Sequence, residues 1–388
     1  MVYEFANEIS DELIKIRRYL HTIPELEFEE FETSKFIKSY LDRLGIKYES
    51  VLETGIAALI EGKRGKGKTI LIRADIDALP LDEKNNIDYK SSNPGKMHAC
   101  GHDAHITCLL GLCMILKKMN FDFCGNIKAV FQPAEEGSGG ALPMIEQGVM
   151  KNPNVDAAIA LHVEPLCSVG TLQYRNGAIM ASPDDFKITI KGIGGHGACP
   201  DKCINPIYAV SELILKINNI VKDNFDDISK CIVSVCTVKG GSFNNIIPDS
   251  VEITGTARSL DNDTRTKIEA LLLKYTKETS AANNCGYEFT FNKLYPPVIN
   301  DKKMNNIVIE SAKNIPEIKK IIELEKSSMT GDDFSYFAQL VPASYFKLGV
   351  GNDIIKNPLH SSEFNIDEKS LHLGAAVLTE AALKYLNG

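Results

Sequence analysis

The chain has 388 residues, of which 44% are hydrophobic and 24% charged, with a formal net charge of −8 and a sequence pI of about 5.6. That length calls for one large or two moderate globular domains, and the acidic balance argues against nucleic acid, whose phosphates need a basic face. No apolar run approaches the roughly 18 residues of a membrane span, so no membrane association is expected.

The first segment, "MVYEFANEISDELIKIRRYL", predicts an amphipathic helix over about 4–20 with charges of both signs. It lacks the apolar centre and small-residue cleavage site of a signal peptide. A second helix is expected near 32–45. Strands come next at 69–75 ("TILIRAD"), 126–132 ("NIKAVFQ") and 156–163 ("DAAIALHV"), with an apolar helix at 102–119 between the first two. These strands are continuous apolar runs, the mark of strands covered on both faces. The expected fold is therefore α/β, a mixed, largely parallel sheet with helices on both faces. The same style returns at 343–350 and in a final helix from about 367.

The middle of the chain reads differently. A strand (185–191), a helix (205–222), two strands (230–239, 250–258), a helix (262–282) and a strand (286–292) give the order βαββαβ of a ferredoxin-like α+β unit. The division predicted is an α/β domain formed by 1–182 and 296–388, interrupted by an insertion at 183–295. The Gly-rich "GIGGHGACPD" (192–201) reads as a loop within that insertion.

Ten cysteines occur without a single CxxC pair, most of them inside apolar runs such as "CIVSVC", where cysteine acts as a small hydrophobe. This usage points to a reducing, cytoplasmic compartment. Cys100 stands apart, in "MHACGHDAH" (97–105), which holds three of the chain's eight histidines.

In open α/β sheets functional groups collect beyond the carboxyl ends of the strands. Strand 69–75 delivers Asp75 and Asp77; strand 126–132 runs into "QPAEEGSGGA" with Glu135 and Glu136; strand 156–163 ends at His162; the crowded segment supplies Cys100 and His102; and the loop after 343–350 supplies His360. Thiolate, imidazole and carboxylate together suit zinc and its borderline neighbours rather than magnesium or calcium. Cys100, His102, Glu136, His162 and His360 exceed what one tetrahedral ion needs. Two divalent ions about 3.5–4 Å apart, sharing a ligand and a water, would use them all. Glu135 would then serve as general base. Zinc is favoured by the thiolate, with manganese, cobalt or nickel as alternatives. Two other readings stay open here: a cysteine hydrolase built on Cys100, and a non-catalytic metal-binding protein.

The motifs "RRYLHTIPELEFEEFETSKFI", "RADIDALP", "MHACGHDAH", "FQPAEEGSGGA", "ALHVEP", "GGHGACPD", "NIIPDSVEITGTARSLD", "GDDFSYF" and "LHSSEFNIDE" run nearly the length of the chain. In them it resembles the metal-dependent amidohydrolases that include hippurate hydrolase, plant auxin-conjugate hydrolases and bacterial N-acyl-amino-acid deacylases, relatives of aminoacylase. The resemblance implies two divalent metals on the five residues above, Glu135 as base, and Asp75 as a carboxylate that orients a ligand. It implies that the insertion is a lid and dimerisation domain. His196 would reach a partner subunit's active site and steady the scissile carbonyl, while Asn245 and Arg258 would hold the substrate. The implied reaction is hydrolysis of a small N-acyl amino acid of N-acetyl or N-benzoyl type, in a homodimer. The chain departs from the common pattern at Gly331, Asp332 and Ser362, loop positions that shape a substrate pocket.

Overall fold

A computed structural model describes residues 1–388 and divides them into two compact units. The first comprises Met1–Gly177, Ile299–Glu325 and Asp333–Gly388; the second comprises Ala178–Val298 and Lys326–Asp332. The short segment Lys326–Asp332, expected in the α/β domain, thus belongs to the second unit. Backbone bonds explain why: the Ala181 N–H donates to the carbonyls of Ser328 and Thr330.

The first unit is built on an eight-stranded sheet. Its order is Lys47–Val51, Gly55–Glu61, Asn126–Gln132, Thr69–Asp75, Ala157–Ser168, Ala343–Gly351, Thr171–Tyr174, Lys320–Glu323. The four strands from Asn126–Gln132 to Ala343–Gly351 are parallel, so their carboxyl ends share one edge. Antiparallel pairings flank them, which makes the sheet mixed. Every residue of Thr69–Asp75 is buried, as a strand covered on both faces requires.

Period-two alternation sorts the side chains of these strands. Ile70, Ile72, Ala74, Ile127, Ala129, Phe131, Ile159 and Leu161 enter one large apolar core. That core is shared with the helices Ser10–Thr22, His102–Lys118 and Leu371–Asn387. Arg73, Asp75, Gln132 and His162 occupy the alternate positions, so the polar residues of the central strands lie together on the other face.

The hairpin Lys47–Val51/Gly55–Glu61 and the strands Thr171–Tyr174 and Lys320–Glu323 were not expected. Lys47–Val51 and Lys320–Glu323 are largely exposed, and exposed outer strands need no continuous apolar run. The helix expected at 4–20 breaks at Ile9 into Val2–Glu8 and Ser10–Thr22. No helix is long and apolar enough to cross a membrane.

The second unit has a four-stranded antiparallel sheet in the order Cys231–Lys239, Ser250–Ser259, Ser182–Lys191, Gly286–Asn292. With its helices Pro206–Asn218 and Asn262–Ala282 it has the βαββαβ connection and strand order of a ferredoxin-like unit. Local chemistry sets the helix starts. Asn205 and Asp261 accept backbone N–H groups as caps, and Pro206 occupies the first turn, where its missing N–H costs nothing. Within "GIGGHGACPD" the pair Gly195–His196 forms a two-residue antiparallel ladder with Ile246–Ile247.

Candidate metal centre

The cluster begins at a backbone device. Gly101 takes φ +83°, and a Cβ there would lie 2.4 Å from Val163 Cγ2. Only glycine allows both the turn and the contact. The turn places Cys100 just before, and His102 at the first position of, the helix His102–Lys118. His360 is fixed separately, in a left-handed conformation (φ 63°), its N–H donating to the Ala99 carbonyl.

The ligating atoms of Cys100, His102 and His162 lie within 4.8 Å of one another, and so do those of Cys100, Glu136 and His360. Cys100 is common to both trios. Its sulfur stands 3.5 Å from His162 Nε2, and His360 Nε2 stands 3.1 Å from Glu136 Oε1. Glu135 is buried in the same cluster, its Oε2 3.9 Å from His102 Nε2.

The remaining ring nitrogens define which faces point inward. His162 Nδ1–H donates to the Val163 carbonyl (2.7 Å), so the neutral ring presents the Nε2 lone pair to Cys100. His102 Nδ1–H donates to Asp77 Oδ1 (3.2 Å), and its buried Nε2 has no hydrogen-bond partner. Glu136 Oε1 is also buried, with the His360 Nε2 contact at 3.1 Å and no well-aligned hydrogen bond. A buried polar atom without a partner is costly, and a cation would satisfy both atoms together.

Charge gives the same answer. Burial opposes a proton on His102, yet Asp75, Asp77 and Glu136 outweigh it and raise its pKa to about 10 on protein charges alone. Burial, reinforced by the Glu136, Glu135 and Asp75 carboxylates, pushes the Cys100 thiol well above its usual range. The cluster thus carries a surplus of negative charge that one or two cations would neutralise, and a bound cation would deprotonate the thiol. The donor set of sulfur, nitrogen and oxygen fits a borderline divalent metal.

Asp75 does not orient a ligand as expected. Its Oδ1 accepts from His105 Nδ1 (2.5 Å) and its Oδ2 from Arg73 (2.6 Å), while His102 Nε2 is 3.7 Å away. His105 Nε2 in turn accepts the Val163 N–H (3.0 Å), so both of its ring nitrogens are engaged. The orienting carboxylate is Asp77, which sequence reasoning located but left without a role. Its Oδ2 accepts the Glu136 N–H (2.9 Å), so one side chain fixes both His102 and the Glu136 backbone. The available signal was its position two residues past a buried strand.

His196, Asn245 and Arg258 lie in the second unit. His196 and Asn245 are brought together, because the Gly197 N–H donates to the Asn245 carbonyl beside the His196 ladder. His196 is exposed, and its Nδ1 accepts the Ala198 N–H (3.0 Å), which leaves Nε2–H as a free donor in the neutral ring. Arg258 is partly buried and bonds within its own sheet through Nη1, to Thr256 Oγ1 and the Ala257 carbonyl.

Residues 71–384 match the peptidase family M20/M25/M40. The chain is 38% identical to thermostable carboxypeptidase 1 of Saccharolobus solfataricus over 98% of its own length and 97% of that protein's. It is 37% identical to N-acetyl-L-cysteine deacetylase of Bacillus subtilis, over 98% and 89%. Among solved structures it resembles the Bacillus subtilis YXEP protein, a dinuclear metal-binding peptidase of the M20 family, with a TM-score of 0.87, 32% identity and coverage of 98% and 99%. The chain belongs to peptidase family M20/M25/M40 and is a metal-dependent amidohydrolase.

Proposed function

We propose that the enzyme hydrolyses the amide bond of N-acyl-L-amino acids, N-acetyl or N-benzoyl, releasing a carboxylate and a free amino acid. The observation that carries this reading is the meeting of two ligand trios at Cys100, beside the buried Glu135. Cys100, His102, Glu136, His162 and His360 would hold two divalent ions, with zinc favoured by the thiol and manganese, cobalt or nickel as alternatives. When bound, such ions supply an acidified water and polarise the scissile carbonyl.

The chain's own residues do the rest. Glu135 takes the proton of the attacking water and delivers it to the leaving nitrogen. Asp77 keeps the His102 lone pair aimed inward by holding the opposite ring nitrogen. In a dimer, His196 would offer Nε2–H to the carbonyl oxygen in the partner subunit's site as negative charge develops there. Asn245 and Arg258 hold the substrate, Arg258 through the substrate carboxylate.

The second unit would act as lid and dimerisation domain. Its strand Cys231–Lys239 has an unpaired edge, with Ile232 and Val238 exposed on it, and Tyr208 and Leu215 are exposed on the helix Pro206–Asn218. A second copy adding its own Cys231–Lys239 edge would satisfy that strand and cover these side chains. Light scattering of the purified protein tests this, and a monomer at micromolar concentration overturns it. The chain's ten cysteines, none paired with another, support a reducing compartment such as the cytoplasm as its location.

Carboxypeptidase action is the second reading, favoured by the similarity to thermostable carboxypeptidase 1. Metal-reconstituted enzyme assayed on N-acetyl and N-benzoyl amino acids beside unblocked dipeptides separates the two. Turnover of the dipeptides alone would replace the proposed substrate class.

A further inference from the structure

The turn that carries Glu135 and Glu136 starts from a strained, buried residue. Ala134, immediately before Glu135, is left-handed at φ 58° and fully buried. For a residue with a Cβ this conformation is strained, and it persists only where its surroundings enforce it. The enforcing contact comes from far along the chain. Glu30, itself fully buried at the start of the helix Phe31–Leu44, accepts the Ala134 N–H through Oε1 (3.0 Å). Its other oxygen accepts the Thr54 hydroxyl (2.7 Å), from the turn before the strand Gly55–Glu61.

A second carboxylate from the same segment holds the far side. Glu27, an exposed side chain, accepts the Ser138 N–H through Oε2. The Gly139 N–H donates to the Ala134 carbonyl (2.9 Å) and closes the turn. "ELEFEE" (25–30) therefore clamps "PAEEGSG" (133–139) on both sides of the two glutamates.

Glu30 has no cationic partner. Burial raises its pKa to about 7, against the Thr54 hydroxyl, its own N–H and the Ala134 N–H, which favour the carboxylate; Asp77 adds to the rise. An apolar side chain would occupy such a place at lower cost.

We propose that Glu30 is a positioning residue for the reaction: its carboxyl group locks the left-handed turn at Ala134 and so sets where Glu135 and Glu136 point. This rests on the reading of Glu135 as base and Glu136 as metal ligand.

The test is hydrogen exchange over residues 133–140, with zinc affinity measured by competition against a chromophoric chelator, in Glu30→Ala, Glu30→Gln and Thr54→Val. Glu30→Ala should speed exchange in the turn at least about tenfold, leave the strand Thr69–Asp75 protected, and weaken zinc binding about 10–100-fold. It should lower kcat more than it raises KM. Glu30→Gln keeps a carbonyl oxygen for the Ala134 N–H and should restore most of each effect, while Thr54→Val should give a smaller shift in the same direction. Wild-type exchange and zinc affinity in Glu30→Ala would overturn the proposal, and so would a uniform rise in exchange across the unit. If Glu30→Ala does not fold, wild-type exchange over residues 133–140 together with wild-type zinc affinity in Thr54→Val overturns it. Glu135→Gln serves as the separate control: full activity there would remove the base assignment, while the exchange and zinc measurements on Glu30 would still decide the clamp.

Discussion

The two units present their candidate residues in opposite ways. In the first, Cys100, His102, Glu135 and His162 are buried, Glu136 is partly buried and His360 alone is exposed, and the second ring nitrogen of His102 and of His162 is bonded to a neighbour. In the second, His196 and Asn245 are exposed and carried on a two-residue ladder, and Arg258 is only partly buried. A metal site needs several donors held within a few tenths of an ångström, which only a packed interior supplies. A substrate contact can be made by a side chain that orders when its partner arrives. In the first unit chemistry and stability should therefore be inseparable; in the second they should come apart.

The largest expected effect is at Glu135. Glu135→Gln should retain metal and lose about 10²–10⁴-fold in turnover, measured on whichever blocked amino acid the wild type cleaves. Next comes His196→Ala, with a loss of about 10²–10³-fold if its Nε2–H meets the developing oxyanion. Here the comparison is at risk: the variant's thermal midpoint should equal that of the wild type, and a fall of several degrees would mean that His196 also supports the fold.

Asp77→Asn sharpens the other side. It leaves one acceptor where two N–H groups need one each, and should weaken zinc binding about 10–100-fold by competition titration. Unchanged affinity would show that His102 is oriented by packing alone.

The smallest effect is a pH slope. Glu30 titrates near 7 in the folded chain against an ordinary 4.5, so between those values the folded state holds a proton that the unfolded state has lost. Stability owed to this group is therefore present below pH 4.5 and is lost as pH rises through about 7. Relative to Glu30→Gln, the wild type should lose on the order of 1–3 kcal/mol across that window in denaturant titrations. A flat difference would mean that the carboxyl group is already ionised at low pH.

Much of this molecule was legible in the chain itself. Apolar runs marked Thr69–Asp75 and Asn126–Gln132 to the residue, because strands covered on both faces leave no room for polar interruption. The helix Asn262–Ala282 and the strand Gly286–Asn292 were equally plain. The crowded segment 97–105 and the residues at or beyond the carboxyl ends of the parallel strands also suggested Cys100, His102, Glu136, His162 and His360 as one candidate set, since parallel strands deliver their carboxyl ends to one edge. The unburied edge strands escaped notice because exposure removes the pattern that betrays a strand.

What the tertiary structure alone decided are the partnerships. Asp75 and Asp77 stand two residues apart with the same chemistry, yet one is spent on Arg73 and His105 and the other on His102 and Glu136. Glu30 looks like one carboxylate among five in "ELEFEEFE", and only the fold sets it against Ala134, 104 positions away. Local pattern determines which backbone a segment adopts and which of its faces is buried. Which polar group meets which depends on contacts closed across the whole chain, and no spacing along the sequence encodes them.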